Sequence, residues 1–174
     1  AEGHVLRSAM VGLPRFELLV SVENAARVWQ QLVATRAIPV GLQALETLRV
    51  EEGIPGFWSE ISESYNPLEM GLRGSISFTK GCYIGQEVIA RLDTYQKVQS
   101  HLVTLGFSPG SRVEAGTKLA RDGKGVGQVT SVARVPPTGE LIGLAYIRKE
   151  ASDVGCLLEL LDAKGTWARV KAPS

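Results

Sequence analysis

Short apolar segments separated by turn residues make up residues 101–132, which read HLVTLGFSPGSRVEAGTKLARDGKGVGQVTSV. Apolar and β-branched residues favour strands here, and glycine, proline and aspartate interrupt them at short intervals. The same pattern continues through the rest of the sequence. We therefore predict six strands, at residues 101–107, 118–120, 126–132, 140–147, 157–161 and 166–170. Strands at this spacing are typical of a small antiparallel barrel.

The opening residues combine strand and helix signals. Residues 5–7 and 16–20 predict two strands, with a turn at Gly12-Leu13-Pro14. Apolar residues then recur at helical spacing, which predicts a helix that Ser21 caps and that runs to about Arg36. We expect Trp29, which lies on the apolar stripe of this helix, to pack in a core.

Two further helices and one strand are predicted before the barrel. The first helix runs from Leu42 to Glu52, and Gly53 should adopt the left-handed conformation after it. Residues 75–78 predict a short strand, and residues 86–92 have helical character. Polar residues interrupt the apolar pattern at 93–99, where we place the boundary between the helical part and the barrel.

The composition is that of an ordinary globular protein. Of 174 residues, 44% are hydrophobic and 21% are charged, which argues against disordered and fibrous classes. The formal net charge is +1, and no basic run is long enough to form a nucleic-acid-binding arm. No stretch of about 18 apolar residues could cross a bilayer, and a signal-peptide layout is lacking. We therefore expect a soluble, intracellular protein that binds neither nucleic acid nor membranes.

Cysteine and histidine usage limits the possible chemistry. Cys82 and Cys156 lie far apart in sequence, which favours reduced thiols over a disulfide scaffold. With His4, His101 and no CxxC pair, no metal site is predicted from this chain alone, although a metal shared with another chain stays open. Hydrolase, P-loop and dinucleotide-binding motifs find no match.

The segment Lys80-Gly81-Cys82-Tyr83-Ile84-Gly85-Gln86-Glu87 is the most distinctive stretch. It is similar to the KGCYxGQE signature of the YgfZ-type folate-binding family, whose members are relatives of the glycine-cleavage T protein. Residues 48–55 resemble a helix-and-turn shared by YgfZ and T proteins, and Asn66-Pro67-Leu68-Glu69 resembles the loop that follows it in T proteins. Residues 125–131 and 142–147 resemble the barrel of the family.

The resemblance implies an α+β fold in two parts. Residues 1–98 would form the second half of a T-protein-like folate-binding core, and residues 99–174 a C-terminal T-protein-type antiparallel β-barrel. In the family the folate lies in a cavity formed with an N-terminal portion, so we expect a missing N-terminal half of the same protein to be a partner. The expected location is the bacterial cytoplasm, or the mitochondrial matrix in a eukaryote.

Cys82 is the candidate functional thiol. Gly81 leaves the sulfur unshielded, and both the predicted helix start near Gly85 and the cation of Lys80 favour the thiolate. The alternative interpretation is a small buried packing residue.

The resemblance aligns Arg49 with an arginine that T proteins direct into the folate cavity, where it could bind a carboxylate. A solvated helix arginine is the alternative. The candidate cofactor-binding residues are Arg49, Lys80, Gly81, Tyr83, Gly85, Gln86, Glu87 and Arg91.

Three functions follow from the resemblance. The first is binding of tetrahydrofolate or a derivative in support of iron–sulfur cluster assembly or repair, with iron–sulfur proteins as partners. The second is a tetrahydrofolate-dependent aminomethyltransferase of the glycine cleavage system, which would be the class of transferase if the chain is an enzyme. Met10 and Leu13 argue against it, because they stand where T proteins have a tyrosine and a glutamate that helps to hold the pterin ring. The third is a non-catalytic fragment that only pairs with the missing half.

Overall fold

The computed structural model describes residues 3–10, 13–95, 97–136, 138–163 and 165–172, apart from the side chains of residues 8–10 and 13. The chain divides into two compact units, Ala1–Glu46 and Thr47–Ser174. The division falls within a helix. Each unit is described by itself below.

The first unit opens with an antiparallel pair of strands. Strands β1 (Gly3–Met10) and β2 (Leu13–Val20) pair with Gly3 opposite Val20 and Met10 opposite Leu13. This arrangement confirms the two predicted strands. The predicted turn is placed too far along the chain, because Leu13 and Pro14 already belong to β2.

Helix α1 (Val22–Ala34) follows β2 directly. Ser21 occupies the N-cap position as predicted, but its hydroxyl accepts a hydrogen bond of 2.9 Å from the side chain of Asn24 and does not cap a backbone N–H. The packing predicted for Trp29 is wrong. Its side chain is 56% exposed, and none of the residues of α1 is buried.

Helix α2 (Leu42–Glu51) agrees closely with the prediction and ends at a left-handed glycine. Gly53 has a φ of 72°, which turns the chain so that the Ile54 N–H donates to the Arg49 carbonyl at 2.9 Å. A glycine suits this conformation because it carries no Cβ. The turn directs the chain away from the helix axis and into a long loop.

The strand predicted at residues 75–78 is absent from the described structure. A 3-10 turn (Arg73–Ser75) occupies its beginning, and the Phe78 ring lies 5.0 Å from the Arg73 guanidinium. The segment has β-favouring side chains but forms no ladder with a neighbouring strand, and pairing is what stabilises a strand. Helix α3 (Gln86–Thr94) then begins after Gly85, whose φ is 85°.

Six strands close into an antiparallel barrel, as the sequence predicts. Their order around the barrel is β3-β6-β5-β4-β7-β8, so that β8 returns to pair with β3. The α+β fold with a small antiparallel barrel is therefore confirmed. The strands are β3 (Ser100–Phe107), β4 (Lys118–Arg121), β5 (Lys124–Val135), β6 (Glu140–Arg148), β7 (Leu157–Leu160) and β8 (Trp167–Lys171).

The interior of the barrel is filled by aliphatic side chains. Leu105, Leu119, Val129 and Ile147 have no exposed surface, and inward positions alternate with exposed ones along β7 and β8. Cys156, partly buried, packs against this core. The barrel therefore supplies a rigid scaffold for the loops that precede it.

Candidate functional site

A buried ion pair joins helix α2 to the loop that follows it. The Arg49 Nη1 donates to the Glu60 Oε2 at 2.9 Å, and it also donates to the Ile54 carbonyl at 2.6 Å. Glu60 has no exposed surface, and 11% of the Arg49 side chain is exposed. A charge buried to this extent is stable only when its partner and further hydrogen bonds compensate for lost water.

Hydroxyl and amide donors complete the surroundings of Glu60. Its Oε2 accepts hydrogen bonds from the Gly56 N–H at 2.8 Å and from the Ser59 hydroxyl at 2.7 Å. Ser131 of β5 donates to the other carboxylate oxygen at 2.7 Å and accepts from the Arg49 Nη2 at 2.8 Å. Burial by itself would raise the pKa of Glu60, but these hydrogen bonds hold the pKa below its ordinary value.

Tyr146 of β6 ties the same loop to the barrel. Its hydroxyl donates to the Glu60 backbone carbonyl at 3.0 Å, and its ring stacks on Tyr65 with a centroid distance of 3.4 Å. Burial and the nearby charge of Glu60 raise the pKa of Tyr146, so the hydroxyl stays protonated and keeps its role as a donor. The Arg49–Glu60 network, which we define as Arg49, Gly56, Ser59, Glu60, Ser131 and Tyr146, therefore fixes the loop on the barrel.

Two aromatic side chains project from the fixed loop. Phe57 and Trp58 are 70% and 83% exposed, and their rings meet edge to face with centroids 4.7 Å apart. Trp58 has a φ of 72°, a conformation that costs a non-glycine residue of order 1–3 kcal/mol. The hydrogen bonds around Glu60 oppose this cost, and the loop consequently presents two flat apolar surfaces outward.

The Asn66–Glu69 motif forms a self-contained turn. The Asn66 Oδ1 accepts from the N–H groups of Leu68 and Glu69, and the Glu69 Oε2 accepts from the Asn66 side chain at 2.7 Å. The Glu69 carbonyl accepts from the Leu102 N–H of β3 at 2.9 Å. The residue types of this motif are thus explained by local structure and by its attachment to the barrel.

The predicted segment Lys80–Glu87 lies on the surface, between the loop and helix α3. Cys82 is exposed, and a Cβ at Gly81 would meet no neighbouring atom within 4 Å. The Lys80 Nζ lies 4.8 Å from the centroid of the Tyr83 ring, within the range of a cation–π contact. Cys82 is therefore open to solvent.

Helix α3 carries the remaining predicted site residues. Gly85 is its N-cap, Gln86 is its half-buried first residue, and Glu87 is exposed in its first turn. Arg91 lines an open cavity of about 460 Å³ near the end of the helix, together with Tyr95 and Lys97. The structure brings Lys80 and Tyr83 together, whereas Arg49 lies in the buried network, which is built from other residues.

The structure places Arg49 in a role that the sequence does not reveal. A carboxylate ligand would have to compete with Glu60 for this guanidinium. Glu60 itself is absent from the predicted site residues, because no periodicity marks a single acidic residue in a loop rich in glycine, proline and serine. Lys80 and Arg91 are both exposed, and the side chain of Leu13 lies outside the described residues.

Neither a metal cluster nor a membrane span is found in the described part of the chain. No group of three or more His, Cys, Asp or Glu residues there could hold a metal ion. No described helix is both long and apolar enough to cross a bilayer.

Family models for two adjacent domains match this sequence. The GCVT N-terminal domain matches residues 1–80, and the glycine cleavage T-protein C-terminal barrel domain matches residues 101–172. The chain belongs to the glycine-cleavage T-protein superfamily. The barrel that the second model describes coincides with the closed barrel formed by β3 to β8.

Relatives of this chain include proteins of plants and bacteria. A chloroplastic protein of Arabidopsis thaliana that is named a transferase is 44% identical over 140 residues, which cover 80% of this chain and 32% of the relative. An aminomethyltransferase of Nostoc sp. is 33% identical over 159 residues, which cover 91% of this chain and 42% of the relative. The chain thus spans less than half the length of these relatives.

A solved structure supports the fold over nearly all of the chain. The crystal structure of the glycine cleavage system aminomethyltransferase T from Bartonella henselae matches with a TM-score of 0.80 and 23% identity. The match covers 97% of this chain and 48% of the other. At this identity the likeness shows the fold alone.

Proposed function

We propose that this chain is part of a tetrahydrofolate-binding protein of the YgfZ type, which supports iron–sulfur cluster assembly or repair through the thiol of Cys82. The observation that carries the proposal is the exposed position of Cys82 in the KGCYxGQE segment, just before helix α3. An exposed sulfur can be reached by a partner protein or by an electrophile.

Folate binding is supported by family membership and by the chemistry of exposed side chains. Lys80 and Arg91 are exposed cations that could hold glutamyl carboxylates. Phe57 and Trp58 offer exposed rings on a loop that the Arg49–Glu60 network fixes in place. When bound, tetrahydrofolate supplies the nitrogen atoms that carry a one-carbon unit. The approach to this ligand would be shaped by Gly81, Tyr83, Gly85, Gln86 and Glu87.

A tetrahydrofolate-dependent aminomethyltransferase is the second candidate. The name of the Nostoc relative favours it. The sequence argument against it rests on Met10 and Leu13, whose side chains lie outside the described residues. The two candidates differ in what they require of Cys82: a thiol function needs the sulfur, whereas transfer of a one-carbon unit to folate does not.

Substitution of Cys82 in the protein that contains this chain separates the two candidates. We expect Cys82→Ser to abolish support of iron–sulfur enzymes in cells that lack the native protein, while the matched control Cys156→Ser retains it. Full activity of the Cys82→Ser variant in the same cells would contradict the thiol proposal. Tetrahydrofolate-dependent aminomethyl transfer by the purified protein, unchanged by Cys82→Ser, would establish the second candidate.

Alkylation of the two cysteines gives a direct measure of thiol access. Iodoacetamide should modify Cys82 well before Cys156, because Cys82 is exposed whereas Cys156 packs partly buried against the barrel core. Peptide mass spectrometry after brief labelling measures both rates, and labelling in urea supplies the control in which burial is removed. Equal rates in the folded protein would mean that exposure of Cys82 confers no reactivity.

A partner that covers the helical part is the remaining element of the proposal. Trp29, Leu32 and Val33 form an exposed apolar face on α1, and the matched relatives are more than twice as long as this chain. We propose that an N-terminal half of the same protein packs on this face. The third candidate, a chain that only folds and pairs, predicts this packing without folate binding. The cytoplasmic or mitochondrial location stays a prediction; the name of the Arabidopsis relative assigns that protein to the chloroplast.

A further inference from the structure

A cavity of about 490 Å³ opens at one end of the barrel. The turn that follows β3 forms one side of it, and the β5–β6 hairpin forms the other. Its volume lies within the range of small-molecule sites. None of the residues of the Arg49–Glu60 network or of the Lys80–Glu87 segment lines it. The cavity is therefore lined by residues other than those proposed for folate binding and thiol chemistry.

Two guanidinium groups contribute positive charge to this cavity. Arg112 extends from the turn after β3 and Arg134 from β5. Within the described part of the chain Arg112 has no hydrogen bond or ion pair, and Arg134 uses one donor, from its Nη1 to the Gly139 carbonyl at 2.6 Å. The carboxylate of Glu140 also lines the cavity, but its charge is balanced by the Lys171 Nζ at 2.9 Å. Among the described residues, no carboxylate pairs with either guanidinium.

A pair of buried hydroxyls adds another donor to the wall. The Oγ atoms of Ser108 and Ser111 lie 2.7 Å apart, and the Ser108 Oγ also accepts from the Trp167 N–H at 3.2 Å. Two hydroxyls carry two protons, and the bond between them uses one, whichever of the two serines donates. The second proton finds no acceptor among the described residues. Since both serines are more than nine-tenths buried, an acceptor from a ligand would satisfy a donor that is otherwise costly to leave unpaired.

We infer that this cavity is a binding site for an oxyanion, the phosphate or carboxylate group of a small molecule. The wall presents an excess of donors over acceptors, and two planar guanidinium forks face one volume. Such forks bind oxyanions with two parallel hydrogen bonds. The ligand group would lie between Arg112 and Arg134 and accept the remaining hydroxyl proton of the serine pair.

Titration of the 174-residue chain with defined anions tests the site. Inorganic phosphate, pyrophosphate and glutarate are the probes, and backbone amide shifts of residues 107, 108, 110–112 and 138–141 report binding. We expect Arg112→Gln and Arg134→Gln each to weaken binding about tenfold, the effect of losing one charge-assisted hydrogen bond. Ser111→Ala should weaken it to a smaller extent. Arg148→Gln is the matched control, because it removes an exposed arginine from the opposite end of β6.

Each outcome of the titration either supports or overturns the proposed oxyanion site. Saturable binding that depends on Arg112 and Arg134 but changes less than about twofold in Arg148→Gln supports the site. Preference for pyrophosphate over glutarate would identify a phosphorylated ligand, and the reverse preference a carboxylate ligand. Shifts that do not saturate, or an equal loss in Arg148→Gln, would mean diffuse attraction to surface charge and would overturn the inference. Cys82→Ser should leave the titration unchanged, so that this result is independent of the proposed iron–sulfur role.

Discussion

Glu60 is charged although it is fully buried, because donors from four separate positions surround its two oxygens. The cost of removing a carboxylate from water is met by an ion pair to Arg49 and by three neutral hydrogen bonds. The same contacts hold the loop that presents Phe57 and Trp58. The fixed position of these two rings therefore depends on a residue that would itself touch no ligand.

Removal of the Glu60 carboxylate should destabilise the chain strongly. Glu60→Ala removes the carboxylate of a buried ion pair with Arg49, a change that costs about 3–5 kcal/mol in comparable cases. Urea unfolding followed by circular dichroism measures the loss, and Glu63→Ala, at an exposed position in the same loop, is the control with little effect. The Arg49→Ala/Glu60→Ala double variant should lose less than the sum of the single losses. Additive losses would mean that the two side chains are not coupled.

The depressed pKa of Glu60 predicts a pH dependence of stability. In the unfolded chain this carboxyl titrates near 4.5, and in the folded chain it titrates lower. The folded state therefore gains stability above pH 4.5 that it loses as the pH falls through the folded-state pKa. Glu60→Gln cannot ionise, so its deficit in unfolding free energy relative to the natural chain should shrink on acidification. A deficit in unfolding free energy that grows at low pH would mean that folding raises the pKa of Glu60.

At the scale of elements, the barrel strands illustrate what local sequence can predict. Alternating apolar residues and the glycine turns around β4 and β5 mark the strands without reference to distant residues. Gly53 and Gly85 likewise mark the end of α2 and the beginning of α3, because a left-handed φ is a local property. The strand expected at residues 75–78 was wrong because Ile76 and Phe78 favour strands only if a partner is available.

The Arg49–Glu60 network could not be predicted for the same reason. Arg49 and Ser131 are 82 residues apart in sequence, and Glu60 and Tyr146 are 86 apart. No local pattern links such positions, and the contact arises only when the barrel closes beneath the loop. The exposure of α1 escaped prediction as well, since an apolar stripe indicates which face would pack but not whether a partner is at hand.

Gly127 of β5 offers a test of close packing within the barrel. A Cβ at this position would lie 2.1 Å from the Tyr146 carbonyl oxygen, a contact that the neighbouring strand cannot relieve without moving. Gly127→Ala should therefore destabilise the chain by about 1–3 kcal/mol. Gly125→Ala on the same strand is the matched control, because its Cβ would meet no atom within 4 Å. Similar midpoints of thermal unfolding for the two variants would mean that β5 and β6 can move apart to accept the added Cβ without loss of stability.

At the scale of the whole molecule, the predicted domain boundary near residues 93–99 stays a prediction. Lys97 is exposed and lies between the end of α3 and the beginning of β3. Brief trypsin digestion should therefore cleave after Lys97 before it cleaves after Arg134, whose backbone pairs with β6. Fragment masses identify the first cut. Initial cleavage within residues 126–147, with residues 93–99 resistant, would refute this boundary.

The closed order of the barrel has a consequence for how the protein is made. The first and last strands of the barrel pair with each other, with Thr104 opposite Lys171, so no ring of hydrogen bonds exists until residues 167–171 have been synthesised. Until the ribosome has synthesised β8, one edge of β3 stays unpaired and the interior face of the barrel is open to water. An exposed strand edge of this kind can pair wrongly with other chains. A premature stop before Trp167 would leave the nascent barrel permanently in that state, as a target for chaperones and proteases.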